Sequence, residues 1–326
     1  MTTLSGQPVL VTGATGFLGG ALGRRLIGEG AHVRALVRAP EKAAWLRDLG
    51  VELAAGDLTD AKSVARAAEN AAYVFHAAVS YGDLAAQTAV NVEGTRNLAR
   101  ASVHAARFVH VSTISWYGYG QRGAIHEDSP IHTAHDPYVR TKQAAESTLR
   151  EIAAETGLSY SISRPGMIYG AGGAMWTRGL FQVARRRPMP FIGDGRGTCF
   201  PIHVDDVVDQ LVTLATHPAA TGEAFNCAPD PAPTWRAFMA LYARLAGHDR
   251  WLAFPYPLFA AAANVMRPFG SHDSALRDLP MILHVFRANT VYTMDKARRL
   301  LDWSPRVDLE SGIAGCAAWL REQGLL

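Results

Sequence analysis

The sequence predicts an α/β protein: a doubly wound parallel sheet followed by a smaller C-terminal substrate lobe. Three observations carry this. The apolar run Val9-Leu10-Val11 leads into Thr12-Gly13-Ala14-Thr15-Gly16-Phe17-Leu18-Gly19, after which Phe17, Leu18, Ala21, Leu22, Leu26 and Ile27 recur at helical spacing. Strand-like and helix-like segments then alternate, the pattern of parallel strands joined by right-handed crossovers. Beyond Gly170 that rhythm breaks into glycine turns and scattered prolines.

Taken in order, Val9 to Val11 is strand one and the helix after it runs to Glu29-Gly30. His32 to Arg38 is strand two. Val51 to Ala54 is strand three, followed by Gly56-Asp57-Leu58. Ala61 to Glu69 is a helix, and Tyr73 to His76 is strand four. Gln87 to Ala105 is a long helix and Arg107 to Ser112 is strand five. Tyr138 to Thr156 is a second long helix, and Tyr160 to Arg164 is strand six. Asp205 to Thr216 (helix) and Ala224 to Cys227 (strand) return to the sheet. Residues 1–170 plus about 200–228 therefore form the cofactor domain. About 171–199 plus 229–326 form the lobe over the strands' carboxyl ends, where such sheets bind ligands.

Bulk properties narrow the function classes. The 326 residues are 48% hydrophobic, enough for a substantial core, and the formal net charge of +3 implies no nucleic-acid partner. The basic triplet Arg185-Arg186-Arg187 follows the apolar run Leu180 to Ala184 and reads as a helix C-terminus. Cys199, Cys227 and Cys316 are odd in number and far apart, which suits a reducing compartment and makes no metal site. Strand one begins too near Met1 for a signal peptide, so a cytoplasmic location is expected. The apolar stretch Trp251 to Met266 is too short, and too broken by Pro255 and Pro257, to cross a membrane.

Two signals bear chemistry. In the glycine turn, one glycine permits the tight bend, one lets backbone approach a pyrophosphate, and one lets the helix pack on the strand. Unpaired N–H groups at the helix start then face the phosphates. The second signal is Tyr138-Val139-Arg140-Thr141-Lys142, which puts a phenol and an ammonium on one helix face. A free tyrosine titrates near ~10, and a neighbouring cation favours the phenolate. Bringing it near neutrality takes a shift of ~3 units, or roughly 4 kcal/mol. Strand five ends in Ser112-Thr113, and the Thr113 hydroxyl is placed to bind a substrate oxygen while Tyr138 handles the proton.

These residues resemble the extended short-chain dehydrogenases/reductases, the NAD-dependent epimerase/dehydratase family. The likeness rests on Thr12-Gly13-x-x-Gly16-x-x-Gly19, Gly56-Asp57-Leu58 and His76-Ala77-Ala78. It continues through Asn91-Val92-Glu93-Gly94-Thr95, the Tyr138/Lys142 pair, Arg164-Pro165-Gly166-Met167-Ile168-Tyr169-Gly170 and His203-Val204-Asp205-Asp206. It covers about residues 7–228 and implies a Rossmann-type sheet. It also implies roles. Thr113 is the catalytic Ser/Thr, Tyr138 the general acid/base, and Lys142 holds the nicotinamide ribose. Gly13, Thr15, Gly16, Phe17, Leu18 and Gly19 cradle the pyrophosphate. Asp57 and Leu58 lie on the adenine side, and Ala77 and Ala78 line the cofactor. Pro165 and Ile168 border the nicotinamide. Asn91 is a structural residue or proton-relay support, and Asp205 and Asp206 cap or tie their helix.

Strand two ends Val37-Arg38-Ala39, with no acid before Glu41 to take ribose hydroxyls. A guanidinium there suits a 2′-phosphate, so NADP(H) is favoured over NAD(H). Relatives acting on nucleotide sugars carry a diphosphate-gripping Arg where this chain has Cys199, and Arg196 lies three residues early. The lobe is rich instead in Trp251, Phe254, Tyr256, Phe259, Met266, Phe269, Met281 and Phe286, which suits a pocket or flap for a bulky apolar molecule. Val33 to Arg38 resembles the dihydroflavonol-reductase-like and 3β-hydroxysteroid-dehydrogenase-like branches. Tyr81, Trp116 and Met175 are candidate substrate contacts. The expected activity is NADP(H)-dependent interconversion of a ketone or aldehyde and an alcohol, in a homodimer paired through the two long helices. The alternatives are a nucleotide-sugar epimerase/dehydratase with tightly bound NAD and a non-catalytic dinucleotide-sensing protein. Trp251 to Met266 is also a candidate for contact with a membrane surface or partner.

Overall fold

A computed structural model describes residues 3–326. In chain order the first elements are β1 (Pro8–Thr12), α1 (Phe17–Gly28), β2 (His32–Val37), α2 (Ala44–Asp48), β3 (Glu52–Ala55), α3 (Ala61–Ala68) and β4 (Tyr73–His76). Next come α4 (Leu84–Gln87), a π-helical stretch Thr88–Glu93 and α5 (Gly94–Ala101), which form one continuous helical run, then β5 (Arg107–Val111), β6 (Gly123–Ile125) and α6 (Pro137–Thr156). β7 (Tyr160–Pro165), β8 (Met167–Tyr169), α7 (Leu180–Ala184), β9 (Met189–Ile192) and β10 (Pro201–His203) follow, then α8 (Val204–Thr216) and β11 (Ala224–Cys227). The chain ends with α9 (Trp235–Leu245), β12 (Trp251–Phe254), α10 (Tyr256–Met266), α11 (Leu279–His284), β13 (Thr290–Tyr292), α12 (Asp295–Leu301), α13 (Leu309–Gly315) and α14 (Ala317–Glu322).

Seven strands make one parallel sheet in the order β11-β7-β5-β4-β1-β2-β3, the doubly wound arrangement expected from the sequence. Successive side chains of a strand point to opposite faces, and the strands obey this. Val9, Val11, Tyr73, Phe75, Val109 and Val111 pack with Leu22 and Leu26 of α1 and with Val207 and Leu211 of α8. Leu10, Val74 and Phe108 pack on the other face with Val64 of α3, Leu98 of α5 and Leu149 of α6. Thr12, His76 and His110, two residues beyond Leu10, Val74 and Phe108, therefore face α5 and α6. They are in register across three adjacent strands.

The long helix expected over Gln87–Ala105 is displaced. Asp83 accepts from the Ala86 amide and starts the run at Leu84, while the Ser102 hydroxyl bonds back to the Leu98 carbonyl as the helix ends at Ala101. The lobe has its own core of Phe181, Met189, Phe191, Cys199, Phe238, Tyr242, Ile313 and Leu320. Its segment Tyr292 to Trp303 nonetheless packs with the α1/α8 layer, and the Trp303 indole donates to Asp209 of α8 at 2.9 Å. Three short parallel pairs were unseen in the sequence: β13 on β6 joins the two halves, β10 on β8 lies within the first, and β12 on β9 lies within the lobe. The Trp251–Met266 stretch divides into β12 and α10, with Pro257 in the first helical turn, where its missing N–H costs nothing.

Candidate active site

At the C-terminal edge of β1, the chain turns with Gly13 at φ +74°, a conformation L side chains rarely adopt. A Cβ there would lie 2.7 Å from the Ala77 carbonyl carbon and the Ala78 nitrogen, so Gly13 lets the glycine turn touch the end of β4. A Cβ on Gly19 would collide with the Gly13 carbonyl. Gly16 begins α1 with no capping side chain, so first-turn amides of this twelve-residue helix stay free for an anion. Thr15 is exposed, and Phe17 and Leu18 are half-buried. This cradle fits a dinucleotide pyrophosphate. Arg38 is exposed just beyond β2, whereas Arg34 on the same strand is already held by Glu52 at 2.8 Å. One Asp57 carboxylate oxygen accepts the Thr59 amide and hydroxyl, both at 2.8 Å, which shapes the turn after β3. Leu58 is buried beneath Gly94 of α5, and its carbonyl accepts from Asn97. Pro165 ends β7, buried, and Ile168 is half-buried in β8.

Three candidate catalytic residues converge at the end of β5. Thr113 follows the strand, is buried, and accepts the Ser115 amide at 3.1 Å, which leaves its own proton free to donate. Tyr138 stands in the first turn of α6, where Asp136 accepts its amide at 2.8 Å. Lys142 is one turn on and fully inside, donating to the Val111 carbonyl at 2.9 Å. The Tyr81 ring stacks on Tyr138 with centroids 5.3 Å apart.

The electrostatics differ from the expectation for an isolated Tyr/Lys pair. Burial, then the neighbouring Tyr81, pushes the Tyr138 phenol above its ordinary value, and Thr113 opposes the rise. Lys142 bonds to the strand end instead of bearing on the phenol. Burial lowers its pKa to about 8, opposed by the Glu146 carboxylate. In this arrangement Tyr138 rests protonated, a donor before it is an acceptor.

Beneath these groups lies a buried polar row that the sequence reading missed. His76 bridges Thr12 (2.7 Å) and Thr95 (2.9 Å), and burial drives its pKa to about 3, so it stays neutral. His110 is wholly buried with neither ring nitrogen bonded among the described residues, and it too is held neutral by burial and by Lys142. Glu146 accepts from Arg164 at 3.0 and 2.8 Å and from Arg150 at 2.8 Å. The Arg164 guanidinium lies 3.5 Å over the Trp116 ring and donates to the Tyr117 hydroxyl, which donates to Asn226. The available signal was a histidine or arginine at the end of an apolar strand, where alternation calls for an apolar residue.

The remaining candidates fall as follows. Tyr81 joins the cluster. Trp116 is half-buried with its ring against Arg164 and Tyr117, packing beneath the site. Met175 is exposed on the π-helical stretch Ala174–Gly179. Asn91 holds both backbone groups of Ser80 and donates to Thr141. Asp206 accepts the Arg306 and Val307 amides and ties the C-terminal segment to α8. Cys199 is buried in the lobe core, its thiol pushed up by burial, and Arg196 points into solvent beside Asp194. The cysteines are free and buried.

Comparison with known proteins shows the family. The NAD dependent epimerase/dehydratase family matches residues 9–228. The ceramide reductase of Caulobacter vibrioides is 31% identical over 343 aligned positions, covering 100% of this chain and 98% of that protein. Sterol demethylase protein B of Methylococcus capsulatus is 31% identical, covering 97% and 99%. The structure of an epimerase from Methanothermobacter thermautotrophicus superposes with a TM-score of 0.80 at 24% identity, covering 98% of this chain and 94% of that one, and shows the shared fold. The chain belongs to the NAD-dependent epimerase/dehydratase family of extended short-chain dehydrogenases/reductases, enzymes that act on CH–OH and C=O groups with a nicotinamide cofactor.

Proposed function

We propose that this chain is an NADP(H)-dependent oxidoreductase that interconverts a ketone or aldehyde and an alcohol on a bulky, largely apolar substrate. The observation that carries the reading is the convergence of Thr113, Tyr138 and Lys142 at the end of β5, beside the glycine cradle. The exposed position of Arg38 beyond β2 supports the phosphorylated cofactor. The two relatives named for ceramide and sterol chemistry support an apolar substrate.

Under this reading a bound nicotinamide supplies or takes up the hydride. Thr113, whose oxygen already accepts from Ser115, turns its hydroxyl proton to the substrate oxygen. Tyr138 gives its phenolic proton to that oxygen as the carbonyl is reduced, and takes it back when the alcohol is oxidised. Lys142 keeps N–H donors beyond the one spent on Val111 and offers them to a ribose hydroxyl. Tyr81 and Tyr138 present two stacked rings, a face suited to a flat apolar substrate.

The second reading is a nucleotide-sugar epimerase/dehydratase that recycles tightly held NAD. Cys199, buried in the lobe core where that branch has its diphosphate-gripping Arg, weighs against it. The test is Tyr138→Phe in a screen of apolar ketones, aldehydes and sterol-like alcohols, following NADPH absorbance. Turnover is expected to vanish while NADPH still binds. A variant that keeps its activity overturns the assignment, and wild-type turnover without net NADPH consumption favours the epimerase.

A further inference from the structure

The strand-helix unit β12–α10 presents apolar side chains to water. Within α10 only Ala263 is buried. Leu258 (63% exposed) and Val265 (67%) lie seven residues apart on α10 and so share one helix face, and Phe269 (83%) follows in the 3₁₀ turn directly after it. Leu252, Phe254 and Met266 are exposed beside them. Single exposed apolar residues are ordinary; a contiguous group of this size marks a contact surface.

The charge around the patch identifies what it contacts. From Trp251 to Ser271 there is no acidic residue, and Arg250 and Arg267 stand at the two ends, both exposed. The Arg236 guanidinium lies 5.4 Å from the Trp251 ring and that of Arg287 4.8 Å from the Tyr256 ring, so cations also line the aromatic edge. An apolar centre with an aromatic and cationic rim matches the interface of an anionic bilayer. A second copy of this chain in a two-fold contact would set the same arginines against each other. Among the described residues no helix is long and apolar enough to cross a membrane, so α10 would lie in the plane of the interface.

The patch is also wired to the site. Directly after it, Asp273 pairs with Arg140 of α6, and the buried Asp278 accepts the His135 and Asp136 amides at 2.7 and 2.6 Å. Asp136 in turn caps the helix turn that carries Tyr138. We propose that α10 docks this protein on anionic phospholipid bilayers, tethering the Tyr138 end of α6 to the phase in which an apolar substrate dissolves. The last clause rests on the apolar-substrate reading; the docking does not.

Flotation of the full chain with mixed phosphatidylglycerol–phosphatidylcholine vesicles, against phosphatidylcholine alone, tests this. The wild type is expected to float with the anionic vesicles, and less so in high salt. Leu258→Glu/Val265→Glu is expected to stay at the bottom. Arg250→Gln/Arg267→Gln is expected to lose about fivefold in partition per charge removed. NADPH fluorescence titration checks that each variant is folded. A wild type that does not float overturns the proposal, as does flotation indifferent to both variants. A dimer that the Glu pair dissociates in sedimentation, with no flotation of the wild type, assigns the patch to a second copy. Flotation reads no chemistry, so a chain that floats but reduces no apolar carbonyl refutes the functional reading alone.

Discussion

Glu146→Gln is the most informative single substitution in the interior. Glu146 is fully buried on α6, one turn beyond Lys142, and it is the only carboxylate opposing the burial that lowers the Lys142 pKa. It also receives both contacts from Arg164, itself 1% exposed. The neutral amide leaves the guanidinium with Tyr117, the Glu127 carbonyl and the Trp116 face, but with no counter-charge. Breaking one side of a buried pair typically costs about 3–5 kcal/mol. One amide oxygen still accepts from Arg164, so the lower end of that range applies and about 3 kcal/mol is expected from urea unfolding. Glu146→Gln/Arg164→Met, which removes both charges, is expected to recover most of it. A loss below about 1 kcal/mol, or additive single changes, would refute the ion-pair reasoning. The second readout is Lys142. The chain has four lysines (Lys42, Lys62, Lys142 and Lys296), so selectively labelled side-chain carbons give a readable NMR titration. The Lys142 midpoint, about 8 in the wild type, is expected to move lower in the folded variant. An unmoved midpoint separates the lysine from the pair.

Other outcomes follow from the same structure. Arg38→Ala is expected to raise the Kd for NADPH by tenfold or so, the worth of a charge-assisted phosphate contact of about 1.4 kcal/mol, with little change for NADH. Equal losses in paired fluorescence titrations would remove the argument for a 2′-phosphate. Gly13→Ala is expected to abolish NADPH binding, because its methyl group meets the Ala77–Ala78 backbone in a strained conformation. Lys142 titrates at about 8 folded against 10.5 ordinarily, so between those values its own contribution to stability rises with pH, while the buried thiols of Cys199, Cys227 and Cys316, raised above their ordinary value, act in the opposite direction. The lysine's share, roughly 3 kcal/mol, is expected as the difference in pH dependence between the wild type and Lys142→Met, read from urea midpoints across that window.

What the sequence made legible was periodic or local. The parallel sheet follows from apolar runs and helical spacing, and Tyr73–His76 and Ala224–Cys227 fall where read, because each is bounded by turn residues. The glycine cradle was readable because each glycine answers a contact within its own turn or with the adjacent strand end. The polar row was not. His110 looks like one more member of Phe108-Val109-His110-Val111, and only the register with Thr12 and His76 shows it as part of a buried line. Glu146 and Arg164 are eighteen residues apart, and only the packing of α6 on β7 brings them together. The pairs β6–β13 and β9–β12 span too many residues for any local pattern to announce them. The Tyr138 environment was legible only in part, for a related reason. Helical spacing correctly placed phenol and ammonium on one face, but burial and Tyr81 lie outside the helix and outweigh that neighbour.

These long-range contacts give the site its mechanical setting. From Lys142, the chain of groups runs through Glu146 and Arg164 to the Tyr117 hydroxyl and on to Asn226 of β11. The Asn226 amide donates to the carbonyls of Ile125 and Thr293, which flank the β6–β13 pair, and its backbone amide donates to Glu127. The lysine one turn beyond Tyr138 and the segment that returns from the lobe are thus linked through one buried set of charged and polar groups. A polar group inside such a network cannot move without leaving a partner unsatisfied, so the network favours one position of the lobe segment over β11. Removing the Tyr117 hydroxyl tests the coupling directly. Tyr117→Phe leaves the ring packing on Tyr292 intact but strips Arg164 of one acceptor and Asn226 of one donor. Its cost should therefore register in hydrogen exchange at Thr290–Tyr292, far along the chain from the substituted residue. Exchange unchanged there would mean that the lobe segment is held by apolar packing alone.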